Sequence, residues 1–95
     1  MEVAAFDWDE GNWPKCGKHG LTQGEIEEVF RNDPMTDIDP SVAERRFRAV
    51  GKTNAGRLAF VVFTLRRRGD RMTIRPISAR YMHAKEIRRY EQTKA

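Results

Sequence analysis

Apolar residues recur at helical spacing in short stretches of the first half and alternate with a period of two through most of the second, a pattern that predicts an α+β fold. Val3 to Phe6 reads as a short strand, followed by Asp7-Trp8-Asp9-Glu10, where an aspartate can cap a helix. Gly11, Pro14 and Gly17 then weaken that helix, so a short or distorted one is expected. If helical, it carries Asn12, Cys16 and His19 on one face and ends at Gly20, which suits the left-handed position past a C-terminus. Thr22-Gln23-Gly24-Glu25 spells a capping box, with Leu21 placed to staple against Ile26. Ile26, Val29 and Phe30 continue at helical spacing, while Glu25, Glu27 and Glu28 favour the positive end of the helix dipole. Asn32-Asp33-Pro34 ends this helix. Met35 to Asp39 is a candidate strand, and Asp39-Pro40-Ser41 is turn chemistry.

From Arg45 the pattern alternates: Phe47 and Ala49 point one way, Arg46, Arg48 and Val50 the other. Thr53-Asn54-Ala55-Gly56 supplies a hairpin loop, and Leu58 to Phe63, apolar on both faces, reads as the middle strand of a sheet. Arg68-Gly69-Asp70 turns the chain into a strand over Met72 to Arg80, which Pro76 interrupts. Proline in a strand requires an edge or a bulge. Met72 and Ile74 are one residue out of phase with Ile77 and Ala79, so an extra residue at Arg75-Pro76 restores a single apolar face. Ser78 and Arg80 then emerge on the polar side, with Arg75 turned out near the kink. A final helix from about Ala84 to Gln92 is expected, with Glu86 reaching back to a cap near His83 and with Ile87 and Tyr90 on its apolar stripe. The predicted architecture is N-terminal helices packed on a small antiparallel sheet, closed by a C-terminal helix.

Composition sharpens this picture. The chain has 95 residues, below the usual range of about 100–200 per domain, so one domain over residues 1–95 is expected. Charged residues make up 34%, above the roughly 25% of average globular chains. The net charge of +4 conceals a division. Residues 1–44 carry 3 cations and 11 acids, a balance of −8, whereas residues 45–95 carry 15 cations and 3 acids, a balance of +12. Such asymmetry points to a basic face suited to nucleic acid or an acidic partner. Arginine supplies 13 of the 18 cations, and its planar fork matches phosphate better than lysine's point charge. The single cysteine, Cys16, excludes an internal disulfide and a Cys-rich zinc site. No apolar segment of signal-peptide type opens the chain, which makes a reducing cytoplasm the expected compartment. The longest apolar run, Leu58 to Phe63, is far short of the roughly 20 residues that span a bilayer, so no membrane association is expected.

Neither a dinucleotide fingerprint nor a P-loop is present, because Gly51-Lys52-Thr53 lacks the required preceding glycine. Cys16 reads as a packing residue, and Trp8 and Trp13 as packing aromatics rather than base-stacking ones. His19 suits a structural place at a helix C-terminus. The richest constellation is Arg46 and Arg48 on one strand with Arg75, Arg80 and Tyr81 on another, followed by His83, Lys85 and Glu86. RNA cleavage without a metal needs a base for the 2′-OH proton, cations for the charge developing on phosphate, and an acid for the leaving oxygen. Arginine supplies the charge but stays protonated, so the base falls to Glu44, Glu86, His19 or His83, or to Lys85 or Tyr81 with a depressed pKa. The structural alternative is a basic strand face paired with the acidic first half, plus a capped C-terminal helix.

These residues also form a familiar series. Phe6-Asp7-Trp8-Asp9-Glu10, Lys18-His19-Gly20, the Ile26-Val29-Phe30 helix, Glu44-Arg45-Arg46-Phe47 through Gly51, the strand Phe60 to Thr64, and Ile74-Arg75-Pro76-Ile77-Ser78-Ala79-Arg80 leading to Lys85-Glu86 and Tyr90-Glu91 together resemble the BrnT toxin family. The resemblance covers nearly the whole chain, departing in the first helix, where Trp13-Pro14 and Gly17 replace better helix formers. It implies a RelE-like fold and a toxin of a type II toxin–antitoxin pair, a metal-independent and cofactor-free endoribonuclease that halts translation. It also implies a BrnA-like ribbon-helix-helix antitoxin, an RNA substrate, and contact with DNA only through the antitoxin. His19, Arg46, Arg75, Arg80, Lys85 and Glu86 fall on the family's polar motifs. The expected catalytic set is His19, Arg46, Arg75, Arg80 and Glu86, with Arg48, Tyr81, His83 and Lys85 binding RNA and no metal ligands. Two alternatives remain at this point: a non-catalytic module for RNA or an acidic protein, and a degenerate toxin retaining only antitoxin binding.

Overall fold

The structure, a computed structural model, describes residues 5–39 and 45–94; Glu44, a candidate base, and the Pro40-Ser41 part of the predicted turn lie outside them. In chain order the elements are β1 (Ala5–Phe6), a 3₁₀ turn (Lys15–Gly17), α1 (Gln23–Arg31), β2 (Met35–Ile38), β3 (Phe47–Lys52), β4 (Leu58–Arg68), β5 (Arg71–Tyr81) and α2 (Ala84–Lys94). The five strands form one sheet in the order β1-β5-β4-β3-β2. β1 runs parallel to β5, and the other neighbours are antiparallel.

The α+β class holds, with two corrections. The sheet is mixed rather than antiparallel, since β1 docks in parallel on Thr73 and Ile74. The α-helices are one central and one C-terminal, and the predicted first helix shrinks to the 3₁₀ turn. Asn12 explains why. Its side-chain amide donates to the carbonyls of Asp7 and Pro76, both at 2.9 Å, and its oxygen accepts from the Asp9 N–H. These side chain-to-backbone bonds hold the segment in turns instead of a helical ladder. Gly17 contributes as well, because a Cβ there would lie 2.6 Å from the Trp13 ring.

α1 forms as its sequence dictates. The Thr22 hydroxyl accepts from the Glu25 N–H at 3.0 Å, and Glu25 Oε1 accepts from the Thr22 N–H at 2.9 Å. Ile26, Val29 and Phe30 are buried on the inner face of the helix, which lies over β3. Beneath them the sheet contributes Ala49, Ala59, Val61, Phe63, Ile74 and Ala79, and Cys16 and Leu21 complete the core. Phe30 sits at its centre, with ring centroids 5.6 Å from Phe6 and 5.0 Å from Phe63.

β4 is the middle strand, as expected, but it runs past Phe63 to Arg68, paired with β5 all the way to Arg71. The bulge in β5 lies one residue beyond its predicted place. Pairing passes from Val62↔Ser78 to Phe63↔Pro76, leaving Ile77 as the extra residue. Pro76 lies beyond the end of β1, so its missing N–H interrupts no ladder on that side. In a regular strand Arg75 and Arg80, five residues apart, would point to opposite faces. The extra residue puts both on the side away from α1, opposite Thr64 and Phe60 of β4.

Candidate functional site

The sheet face away from α1 is open between two covered ends: at one the N-terminal segment buries Arg75, and at the other α2 crosses it, where the chain gathers its candidate residues. Phe60 of β4 stands in register between Val50 of β3 and Arg80 of β5. Two guanidinium groups approach its ring, that of Arg80 at 5.1 Å from the centroid and that of Arg48 at 6.0 Å. Arg80 also grips Glu86 with both terminal nitrogens, at 2.7 and 2.8 Å. Glu86 Oε1 in addition accepts from the His83 N–H at 2.9 Å, which is the predicted reach-back cap. One carboxylate therefore fastens the end of β5 to the start of α2. The Arg80 guanidinium and the His83 backbone bond push the Glu86 pKa down to about 2.

That shift has a pH consequence. Folded Glu86 holds its proton far more weakly than unfolded Glu86, so its contribution is complete above pH 4.5, the ordinary glutamate value, and is lost as the pH falls towards 2. The N-terminal turn of α2 should loosen in that window. A lower protection factor at Ile87, whose N–H bonds to the His83 carbonyl, measured against the intrinsic exchange rate at each pH, is the expected observation, with Glu86→Gln already poorly protected at pH 6.

The other predicted residues are dispersed. Arg75 is buried, with 8% exposure, and its fork meets Asp9 at 3.0 and 2.9 Å. Asp7 lies 3.9 Å away and is also bonded by Arg68 at 3.0 Å. The Arg75 guanidinium holds the Asp9 carboxyl below its usual range. For these arginines the structural alternative accounts for the charge: the acidic N-terminal segment neutralises cations of the β4–β5 hairpin. Arg75→Ala should lower the unfolding free energy by about 2 kcal/mol, the scale of lost hydrogen bonds to a charged group, as measured by urea denaturation.

Tyr81 faces the α1 layer, where its hydroxyl donates to Glu25 Oε2 at 2.8 Å and Arg57 stacks on its ring at 3.4 Å. Burial and then Glu25 push its pKa up, which corrects the expectation of a depressed phenol serving as base. His19 is exposed on the segment between Cys16 and Leu21, both core residues of the α1 side, and so sits away from the open face. Arg46 is half-buried just before β3, its carbonyl accepting from the Asp39 N–H at 2.8 Å. His83 and Lys85 are exposed where α2 begins, flanking the Arg80–Glu86 pair. The structure thus assembles Arg48, Arg80, His83, Lys85 and Glu86, and separates Arg75, Tyr81 and His19 from them.

Sequence reasoning missed Phe60, which it assigned to the apolar middle strand alone. Aligning the three central strands in register would have set it opposite Arg80 and diagonal to Arg48, which pairs with Val62. Cys16 behaves as expected: it is buried, and desolvation pushes its thiol up to about 11. Trp8 and Trp13 pack edge to face at 5.5 Å against the core, with Trp8 Nε1 donating to Glu27.

Among the described residues no helix is long and apolar enough to cross a membrane, and no three His, Cys, Asp or Glu side chains form a metal-ligand group. No curated protein matches the chain. Residues 8–86 match the family described as the ribonuclease toxin BrnT of type II toxin–antitoxin systems. That span runs from the Trp8 turn through every strand from β2 to β5 and ends on Glu86, the carboxylate that fastens β5 to α2. By this match over most of its length, the chain belongs to the BrnT family of ribonuclease toxins.

Proposed function

We propose that this chain is a metal-independent endoribonuclease that cuts RNA on the open sheet face, with Arg80 holding the scissile phosphate and Arg48 supplying a second positive charge. The observation that carries this reading is the convergence of Arg48 and Arg80 on one ring beside His83 and Glu86, within the matched span. In the reaction, a base removes the 2′-OH proton, the freed oxygen attacks the adjacent phosphorus, and the 5′-oxygen leaves with a proton. The products are a 2′,3′-cyclic phosphate and a 5′-hydroxyl.

Arginine suits the charge developing on phosphate because it presents a fixed fork that stays protonated. Glu86, with both oxygens engaged and its pKa near 2, is too weak a base for the 2′-OH and acts as a positioning residue for Arg80. Proton transfer falls to His83, exposed beside the pair, since imidazole is the side chain best matched to such work near neutral pH. Lys85 and Arg46 add positive potential around the phosphate. Arg75, gripped by Asp9, serves the fold of the N-terminal segment. Cleavage of messenger RNA would halt translation in the cytoplasm, and a BrnA-like ribbon-helix-helix antitoxin would neutralise the toxin and carry the complex to DNA.

Purified chain incubated with total RNA in EDTA should release fragments ending in 2′,3′-cyclic phosphate. Intact RNA, together with undiminished growth on expression, would sink the enzyme reading. A shifted but uncut band would identify a binding module instead.

A further inference from the structure

We propose that the cleft between α2 and the open sheet face is a nucleobase subsite, in which one unpaired base of the RNA stacks on Phe60. The inference rests on the ribonuclease reading and adds a contact to which no role has been assigned.

The cleft has a volume of about 220 Å³, and Met35, Val50, Phe60, Met82 and Tyr90 form its apolar walls. Clefts for drug-sized ligands run to about 300–1,000 Å³, so this one admits a single ring system. Its rim is cationic. Arg89 lines it from α2, and the guanidinium groups of Arg80 and Arg48 lie over the Phe60 ring at 5.1 and 6.0 Å from its centroid, so that a base would share the ring with them. Glu86, its acidic lining residue, and Arg80 offset each other's charge, so the surplus positive charge of the rim comes from Arg89 and Arg48. An aromatic floor inside a ring of arginines matches the two halves of a nucleotide, with the base on the ring and the phosphates on the cations. An aliphatic side chain from a protein would fill the walls but leave the rim without its counter-charge. Because the walls offer faces rather than paired donors and acceptors, stacking dominates, and discrimination among the four bases should be slight.

The test uses 2′-O-methylated hexanucleotides, which can be bound but not cut, in two forms: one wholly abasic and one carrying a single adenine. By fluorescence anisotropy, the wild-type chain should bind the single-adenine form about 5- to 150-fold more tightly, the scale of one stacked base. Phe60→Leu should bind both forms equally, and Phe60→Trp should restore the difference; thermal melting confirms that each variant is folded. Equal binding of the two forms by the wild-type chain, with salt-dependent affinity retained, would overturn the subsite while leaving the ribonuclease reading intact. RNA that is neither bound nor cut would remove both. If Phe60→Leu weakened only inhibition by the antitoxin, the cleft would hold a partner's side chain and the subsite would be refuted.

Discussion

Arg80→Ala is expected to slow RNA cleavage by about 10²- to 10³-fold, the scale of removing one preorganised charge donor from a developing anion, while the protein stays folded. The two effects separate because of where Arg80 sits. Its side chain and that of Glu86 are each 35% exposed, and an ion pair open to water contributes at most about 1 kcal/mol to stability. Its chemical contribution depends instead on a fork held in place by both Glu86 oxygens. Arg80→Lys keeps the charge but loses the planar, two-point contact, and should recover only part of the activity. Cleavage rates on a defined single-stranded RNA, with circular dichroism as the folding control, provide the check. Unchanged cleavage by a folded Arg80→Ala protein would reduce the Arg80–Glu86 pair to a strut between β5 and α2.

Phe30→Ala should cost about 3–5 kcal/mol of unfolding free energy, as truncation of a fully buried aromatic does. The ring is 1% exposed and touches Phe6 of β1 and Phe63 of β4, so it joins the edge strand, the central strand and α1 at one point. A small domain commonly has only about 5–15 kcal/mol in total, which places this variant near the edge of folding. Phe30→Leu preserves most of the volume and should cost less than about 1.5 kcal/mol. Urea denaturation of both variants supplies the measurement, and a loss below about 1 kcal/mol for alanine would contradict the central place of this ring.

What could be read in the sequence is what neighbouring residues decide among themselves. The Thr22–Glu25 box and the Glu86 reach-back to His83 are exchanges across three residues, and their residue types permit few other arrangements. The alternation from Phe47 to Ala49 and the phase break near Pro76 likewise reported burial directly. Partners distant along the chain stayed hidden. Nothing near Asp9 announces that it meets Arg75, 66 residues on, and no local pattern shows that β1 docks in parallel on β5. The apolar run marks the middle strand only as far as Phe63; β4 continues to Arg68, with the charges of Arg66 and Arg68 met by Asp7 from the other end of the chain. For the site, sequence found Arg80, Glu86 and Arg48 but grouped them with Arg75 and Tyr81. Arg75 shares the face of Arg80 but is taken up by Asp9, and Tyr81, next to Arg80, turns to the other face to meet Glu25, partners that no local pattern reveals.

The unpaired residue at Ile77 therefore acts as a phase switch between two lengths of β5. Before it, Arg75 and Pro76 are anchored by Asp9 and Asn12; after it, Arg80 and Tyr81 serve opposite sides of the molecule. Removing one codon at 77 would take out that extra residue and leave a regular ladder, with Arg75 and Arg80 then four residues apart and still on one face. The bulge is thus a spare position: β5 can lose one residue there and keep both arginines on the open side, whereas ironing it out at unchanged length would turn Arg80 beneath α1 and Tyr81 to the open side.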